Sequence, residues 1–255
     1  MFFPISDDDR HLMKPAYVSI SLLVINVAVF LYQMVNPDFT WGWSVVPKEI
    51  TSGEDLVGTF YLGDQVLQNQ IEHVVGPTPI YLTLLSSMFM HGGWMHLGGN
   101  MLYLWIFGDN VEHRFGSVLF LIFYLLSGLI ASAAQIALGP ESLIPNLGAS
   151  GAISGVLGAY LVLFPRNKVN AVFFFRVISV PAIIVLGMWI VMQLVQGAGT
   201  LQNVGESGGV AYATHIGGFV AGAVFGLVAR MMIRIEPESA FKQQYLRDPK
   251  VRRYW

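Results

Sequence analysis

The feature that most constrains this chain is a series of long apolar stretches that carry almost no charged side chains. A helix needs about 20 mostly apolar residues to cross a bilayer, and several stretches qualify. Only 12% of the 255 residues are charged, whereas an ordinary soluble domain carries about 25%. The sequence therefore predicts an all-α, polytopic membrane protein.

Six candidate spans divide the chain, at about residues 16–35, 95–111, 117–138, 150–165, 171–196 and 211–233. The first is too long for the core of a signal peptide, so we interpret it as a retained span. The predicted organisation is a cytoplasmic segment 1–15, a six-span domain 16–233 with a large outer loop at about 36–94, and a basic cytoplasmic tail 234–255.

The distribution of Lys and Arg predicts the orientation, because cytoplasmic loops are enriched in these residues. With the N-terminus inside and six alternating spans, 13 of the 14 cations lie inside and only Lys48 lies outside. The inner set is Arg10, Lys14, Arg114, Arg166, Lys168, Arg176, Arg230, Arg234, Lys242, Arg247, Lys250, Arg252 and Arg253. Both termini are expected inside, in the plasma membrane of a prokaryote.

Several classes of function are disfavoured. A net charge of −2 gives no reason to expect nucleic-acid binding, and a chain without cysteine has no disulfide or thiolate metal site. No predicted span carries Asp or Glu clearly within its apolar core, which argues against an aspartyl intramembrane protease and a carboxylate proton relay. A His-Glu-x-x-His zinc motif is also absent from the sequence. We expect neither a metal nor another cofactor.

The fourth predicted span opens with the turn Gly148-Ala149-Ser150-Gly151. A short helix that begins within the membrane is tolerated where its free N–H groups face protein or water, which suggests a polar cavity. Those N–H groups can be capped by a serine, or they can stabilise an oxyanion. Ser150 by itself is most simply a helix cap.

Glycines four residues apart predict close packing between the fourth and sixth spans. Gly151 and Gly155 lie on the fourth span, and His215 on the sixth is followed by Gly218 and Gly222. Both spans begin on the outer side in the predicted topology, so Ser150 and His215 are expected to come together there.

The second span also begins on the outer side, and it supplies His96 and Asn100, which share a helix face. A single histidine or asparagine in a span is more often a packing residue than a catalyst. The joint placement of Ser150, His215, His96 and Asn100 at one membrane end favours a catalytic site.

Four motifs occur in order along the chain: His-x4-His-x3-Asn at residues 91–100, Glu-x-Arg at 112–114, Gly-x-Ser-Gly at 148–151 and His-x2-Gly-x3-Gly at 215–222. In these motifs the chain resembles the rhomboid family of intramembrane serine proteases. The resemblance covers roughly residues 16–233 and implies a six-helix rhomboid-like bundle.

The resemblance also implies residue roles. Ser150 would be the nucleophile and His215 the general base and later the general acid, while His96 and Asn100 would form an oxyanion hole with the Ser150 N–H. Glu112 and Arg114 would hold the cytoplasmic turn together, although a solvated surface pair is an alternative interpretation. Some family members carry an aromatic residue one turn after the nucleophile that packs on the base, and this chain has Ser154 there.

The expected activity is cleavage of membrane-anchored proteins in or near their transmembrane segments, with the active site toward the outer side. The aromatic cluster Phe173–Phe175 and Trp189 suggests either lateral substrate access past the fifth span or interfacial anchoring. One alternative is an inactive rhomboid-like protein that binds membrane proteins or acts in their quality control, but such relatives typically lose the serine or the histidine. A channel or transporter would be expected to show more polar residues along its spans.

Overall fold

The computed structural model describes residues 2–8, 15–61, 70–202 and 212–232, and these residues are mostly helical. The helices are α1 (Tyr17–Val35), α2 (Pro37–Gly42), α3 (Pro47–Ser52), α4 (Thr83–Ser86), α5 (Trp94–Phe115), α6 (Ser117–Leu138), α7 (Ser150–Leu163), α8 (Ala182–Gln202) and α9 (Tyr212–Met232). The strands are β1 (Phe2–Ser6), β2 (Gly58–Tyr61), β3 (Gln70–His73), β4 (Lys168–Phe173) and β5 (Arg176–Pro181). The predicted tail 234–255 lies outside the described residues.

Three of the described helices, α1, α6 and α9, are long and apolar enough to cross a bilayer. Shorter apolar helical segments occur at Ser150–Leu163 and Ala182–Ala198. The prediction of a mostly helical membrane protein is therefore confirmed. The predicted loop 36–94 contains two short helices, the antiparallel pair of strands β2 and β3, and a helical turn around α4.

The predicted start of the fifth span, at residue 171, is wrong. The chain there forms an antiparallel β4–β5 hairpin in which Phe173 pairs with Arg176, and α8 begins only at Ala182. Strand β1 pairs with the other edge of β4, giving a three-stranded sheet that the all-α prediction did not include. A short apolar run bounded by turns is compatible with either a strand or a buried helix, so hydropathy alone extended the span too far.

The hairpin follows the C-terminal end of α7, whose N-terminal end carries Ser150. Its turn carries the aromatic cluster Phe173–Phe175, and the Phe175 side chain is fully exposed. These aromatic residues consequently lie away from Ser150, and only Trp189 of the predicted aromatic set is near it.

Glu112, near the end of α5, caps the start of α1 from 93 residues away in sequence. Its carboxylate accepts the backbone N–H groups of Val18 at 3.0 Å and Ser19 at 2.7 Å, and also the Ser117 hydroxyl at 2.7 Å. An anion at a helix N-terminus satisfies unpaired N–H groups and interacts favourably with the helix dipole. Glu112 is only 2% exposed, which excludes the solvated-pair interpretation for its side chain, and Arg114 is half-buried two residues later.

Helix α7 lies at the centre of the bundle, where the residues from Gly151 to Tyr160 are all buried. It packs on α9 so closely that a Cβ atom on Gly218 would lie 2.1 Å from Gly151 O, and one on Gly222 would lie 1.8 Å from Gly155 O. The two helix backbones can approach this closely only because neither glycine of α9 carries a side chain. This packing sets the separation of the two helix starts that carry Ser150 and His215.

Candidate active site

The first turns of α7 and α9 meet across a hydrogen bond. The Ser150 hydroxyl lies at the start of α7, and its Oγ is 2.9 Å from Nε2 of His215 in the first turn of α9. This separation is a normal hydrogen-bond length. The pair has the contact that a serine nucleophile requires from its base.

Gly148 makes room for a histidine beside this pair. It adopts φ of 138°, a conformation that glycine tolerates and other residues rarely adopt. A Cβ atom there would lie 2.9 Å from Nε2 of His96 and 3.5 Å from Oγ of Ser150. The missing side chain therefore leaves space between His96 and Ser150.

The hydrogen bonding of His96 assigns its tautomer. The Gly92 N–H donates to Nδ1 of His96 at 3.3 Å, so Nδ1 is the acceptor nitrogen and the ring proton is on Nε2. The Nε2–H donor is therefore on the side of the ring that approaches Gly148 and Ser150.

Asn100 lies one turn further along α5, and its side chain is 8% exposed. Its Nδ2 has no hydrogen-bond partner within the described part of the chain, although it is buried. Buried donors are normally paired, and an unpaired one calls for an explanation. An oxyanion bound beside Ser150 would provide the missing acceptor.

One cavity of about 700 Å³ connects these groups. Its lining includes Ser150, His215, His96, Asn100, Ser132, Gln135, Asn146, Trp41 and Trp189. The four predicted catalytic and oxyanion residues are thus brought to a single cavity that is large enough for a peptide segment and water. Within the described residues, no group of three or more His, Asp or Glu side chains is arranged to hold a metal ion.

His91, the first histidine of the 91–100 motif, precedes α5 and is 2% exposed. Burial, together with the neighbouring His96, lowers the pKa of His91 to about 3, so this ring is neutral at physiological pH. Gln33 fixes the backbone of His91, since Gln33 Oε1 accepts the His91 N–H at 2.9 Å and Gln33 Nε2 donates to His91 O at 3.3 Å. We therefore assign His91 a structural role in the loop that precedes α5.

Two residues of α8 contact His215 and were not named as site residues from the sequence. Gln193 Oε1 lies 2.7 Å from Nδ1 of His215, and the Trp189 ring packs on the imidazole with 6.0 Å between ring centroids. Ser154 instead donates its hydroxyl to Ser150 O at 2.6 Å. The sequence did carry a signal, because Gln193 is an amide inside a predicted apolar span, four residues after a tryptophan.

Comparison with known proteins supports the family that the four motifs indicate. The family profile described as Rhomboid domain matches residues 79–232, which include all four motifs. The chain is 38% identical over 146 residues to Rhomboid protease GluP of Bacillus subtilis, covering 56% of this chain and 26% of that protein. It is 32% identical over 149 residues to Rhomboid protein 1, mitochondrial, of Saccharomyces cerevisiae, covering 57% of this chain and 41% of that protein.

A plant relative matches over a longer stretch. The chain is 34% identical over 225 residues to RHOMBOID-like protein 4 of Arabidopsis thaliana, covering 81% of this chain and 50% of that protein. The chain thus spans between about a quarter and a half of the length of these relatives. The resemblance drawn from the sequence motifs is confirmed: this chain is a membrane protein of the rhomboid family.

Proposed function

We propose that this chain is an intramembrane serine endopeptidase that cleaves membrane-anchored proteins in or near their transmembrane segments. The observation that carries the proposal is the 2.9 Å contact between Ser150 Oγ and His215 Nε2 inside the 700 Å³ cavity. Membership of the rhomboid family and the protease named among its relatives support the same reaction.

Acylation begins when His215 Nε2 takes the Ser150 hydroxyl proton as Oγ attacks the carbonyl carbon of the scissile peptide bond. The resulting tetrahedral intermediate collapses, the C–N bond breaks, and the imidazolium of His215 gives its proton to the leaving amine. The acyl group then remains on Ser150 as an ester. A serine hydroxyl is a weak nucleophile without such a base.

The oxyanion of the tetrahedral intermediate would accept hydrogen bonds from Asn100 Nδ2, His96 Nε2 and the Ser150 N–H. In the described part of the chain no side chain caps the start of α7, which leaves its first N–H groups available for this purpose. Fixed donors in a site poor in water stabilise developing charge strongly.

Water completes the cycle by attacking the acyl ester, with His215 again acting as the base. We propose that this water reaches Ser150 through the cavity. Helix α7 has only 14 residues and is about 21 Å long, which is shorter than the hydrocarbon core of about 30 Å. Ser150 would therefore lie below the membrane surface, at the bottom of a cavity that opens outward.

The proposed topology has six spans, formed by α1, α5, α6, α7, α8 and α9, within a domain of residues 16–233. The N-terminal segment, the β4–β5 hairpin and the tail 234–255 would lie inside, and the segment 36–94 would lie outside. We place the protein in a prokaryotic plasma membrane, with its active site toward the outer face. The distribution of Lys and Arg supports this orientation.

The topology predicts which positions react with an impermeant maleimide in intact cells. The chain has no cysteine, so all maleimide labelling of a single-cysteine variant comes from the introduced residue. Glu54→Cys, at an exposed position of the outer segment, should be labelled in intact cells. Phe175→Cys, fully exposed in the hairpin turn, should be labelled only after permeabilisation. Labelling of Phe175→Cys in intact cells, with Glu54→Cys protected, would reverse the orientation.

The proposed function is tested with protein reconstituted in liposomes and a fluorogenic transmembrane peptide. We expect cleavage within or beside the peptide's apolar segment, and covalent capture of Ser150 by a fluorophosphonate, located by mass spectrometry of the labelled peptide. A protein that is folded but inert on several such peptides and unreactive with the probe would instead support a membrane-protein binding factor.

A further inference from the structure

The second ring nitrogen of His215 has its own partner. Nδ1 lies 2.7 Å from Oε1 of Gln193, while Nε2 lies 2.9 Å from Ser150 Oγ. Both nitrogens of the ring are thus engaged, one by α7 and the other by α8.

The partner of Nδ1 decides which tautomer a neutral histidine adopts. An amide oxygen can only accept, so Gln193 Oε1 requires the ring proton to be on Nδ1. The lone pair is then on Nε2, where it can take the Ser150 proton. The other tautomer would present an N–H to the serine oxygen and could not act as its base.

Trp189, one turn earlier on α8, holds the same ring by packing. Its centroid lies 6.0 Å from that of His215 at an interplanar angle of 40°, and it also contacts Phe219 on α9 at 5.9 Å. A half-buried amide on a mostly apolar helix is costly unless it is paired. His215 is the partner that the structure provides for the Gln193 oxygen.

We propose that Gln193 is a positioning residue of the active site, which fixes the tautomer and orientation of His215 through Nδ1, with Trp189 packed on the ring. This inference rests on the proposed function and deepens it. The base is competent only when α8 is seated on α9, because both contacts come from α8.

The test is the pH profile of peptide cleavage by Gln193 variants of the full chain in liposomes. Gln193→Met keeps the length of the side chain but removes the acceptor, and we expect kcat to fall about 10- to 100-fold with KM changed less than about 2-fold, since only the fraction of competent base changes. Gln193→Glu keeps the acceptor and should retain activity. Its carboxylate stabilises the protonated ring, so the acidic limb of its profile should move to higher pH.

A matched control separates the chemistry from helix packing. Leu194→Met changes the neighbouring residue of α8, which is 49% exposed, and should behave like the wild type. If Gln193→Met matches the wild type in kcat, or if Gln193→Glu leaves the acidic limb unmoved, the positioning role is wrong while the protease assignment stands. A wild type that does not cleave at all would instead remove the proposed function.

An engineered disulfide provides a second test, which separates a role of Gln193 in positioning His215 from a role in holding α8 in place. A Cβ atom on Gly197 of α8 would lie 3.2 Å from Cβ of Tyr212 on α9, within a few tenths of an ångström of the separation that disulfides span. In the oxidised Gly197→Cys/Tyr212→Cys protein, α8 is held on α9 whether or not Gln193 is present. Gln193→Met should remain slow in this cross-linked background. Recovery of the wild-type rate there would mean that Gln193 merely holds α8 in place, and would overturn the proposal.

Discussion

Replacing Ser150 with alanine should lower the rate of peptide cleavage by at least about 10⁴-fold, and His215→Ala should have an effect of similar size. The first change removes the atom that forms the acyl bond, and the second removes the group 2.9 Å away that takes its proton. The two residues act as a unit, so the double variant should be no slower than either single variant. The measurement is single-turnover cleavage of the fluorogenic transmembrane peptide in liposomes.

Ser154→Ala is the matched control for this prediction. Ser154 lies one turn further along α7, is 1% exposed, and donates its hydroxyl to Ser150 O at 2.6 Å. Its loss removes one hydrogen bond on the same helix without touching the base, so the rate should stay within about 10-fold of the wild type. Persistent cleavage by Ser150→Ala would exclude Ser150 as the nucleophile. Equal losses in Ser154→Ala and Ser150→Ala would point to damage of α7 rather than to chemistry.

The sequence predicts the helical membrane character of the chain because a segment that crosses the bilayer must be mostly apolar, and hydropathy measures this property directly. It fails at residues 168–181, where an apolar run folds as the β4–β5 hairpin instead of extending α8. The run is paired with β1, some 165 residues earlier in the chain, so no local signal decides between strand and helix there.

The site was accessible from sequence to different degrees. Ser150 and His215 lie in motifs with fixed spacing, and glycines every four residues indicate how their helices approach. Gln193 has no such motif, and its role depends on the rotation of α8 about its axis and on the direction of one side chain. Neither is encoded in the spacing of nearby residues, so the sequence could mark Gln193 as an unusual amide in an apolar span but could not assign its contact with His215.

The same reasoning applies to Glu112. The family resemblance implied that Glu112 and Arg114 hold the cytoplasmic turn together, with a solvated surface pair as the alternative. In the structure the Glu112 carboxylate accepts the Val18 and Ser19 N–H groups at the start of α1. A cap donated by a residue so distant in sequence depends on how α1 and α5 pack. Local pattern could therefore identify Glu112 as structural by resemblance but could not name the helix that it serves.

Gly222→Ala should lower the rate of cleavage about 100-fold or more and lower the thermal unfolding midpoint, although Gly222 lies two turns along α9 from His215. The added Cβ would lie 1.8 Å from Gly155 O, a backbone atom that cannot move by changing rotamer. The two helices must therefore separate by more than an ångström, at a cost of about 1–3 kcal/mol or more for overpacking. A shift of about 1 Å between reacting groups can itself lower a rate about 100-fold.

Gly187→Ala is the control, because Gly187 lies on α8 and a Cβ atom there would have no atom of the described residues within 4 Å. Alanine in place of glycine favours a helix by about 1 kcal/mol, so this variant should match the wild type or unfold at a higher temperature. The comparison is made by melting both variants in detergent and measuring cleavage in liposomes. If Gly222→Ala melts and cleaves like the wild type, the α7–α9 contact does not set the distance between Ser150 and His215. If its cleavage is slowed to this extent while Gly187→Ala is active, the glycine faces are what bring the serine and the histidine together.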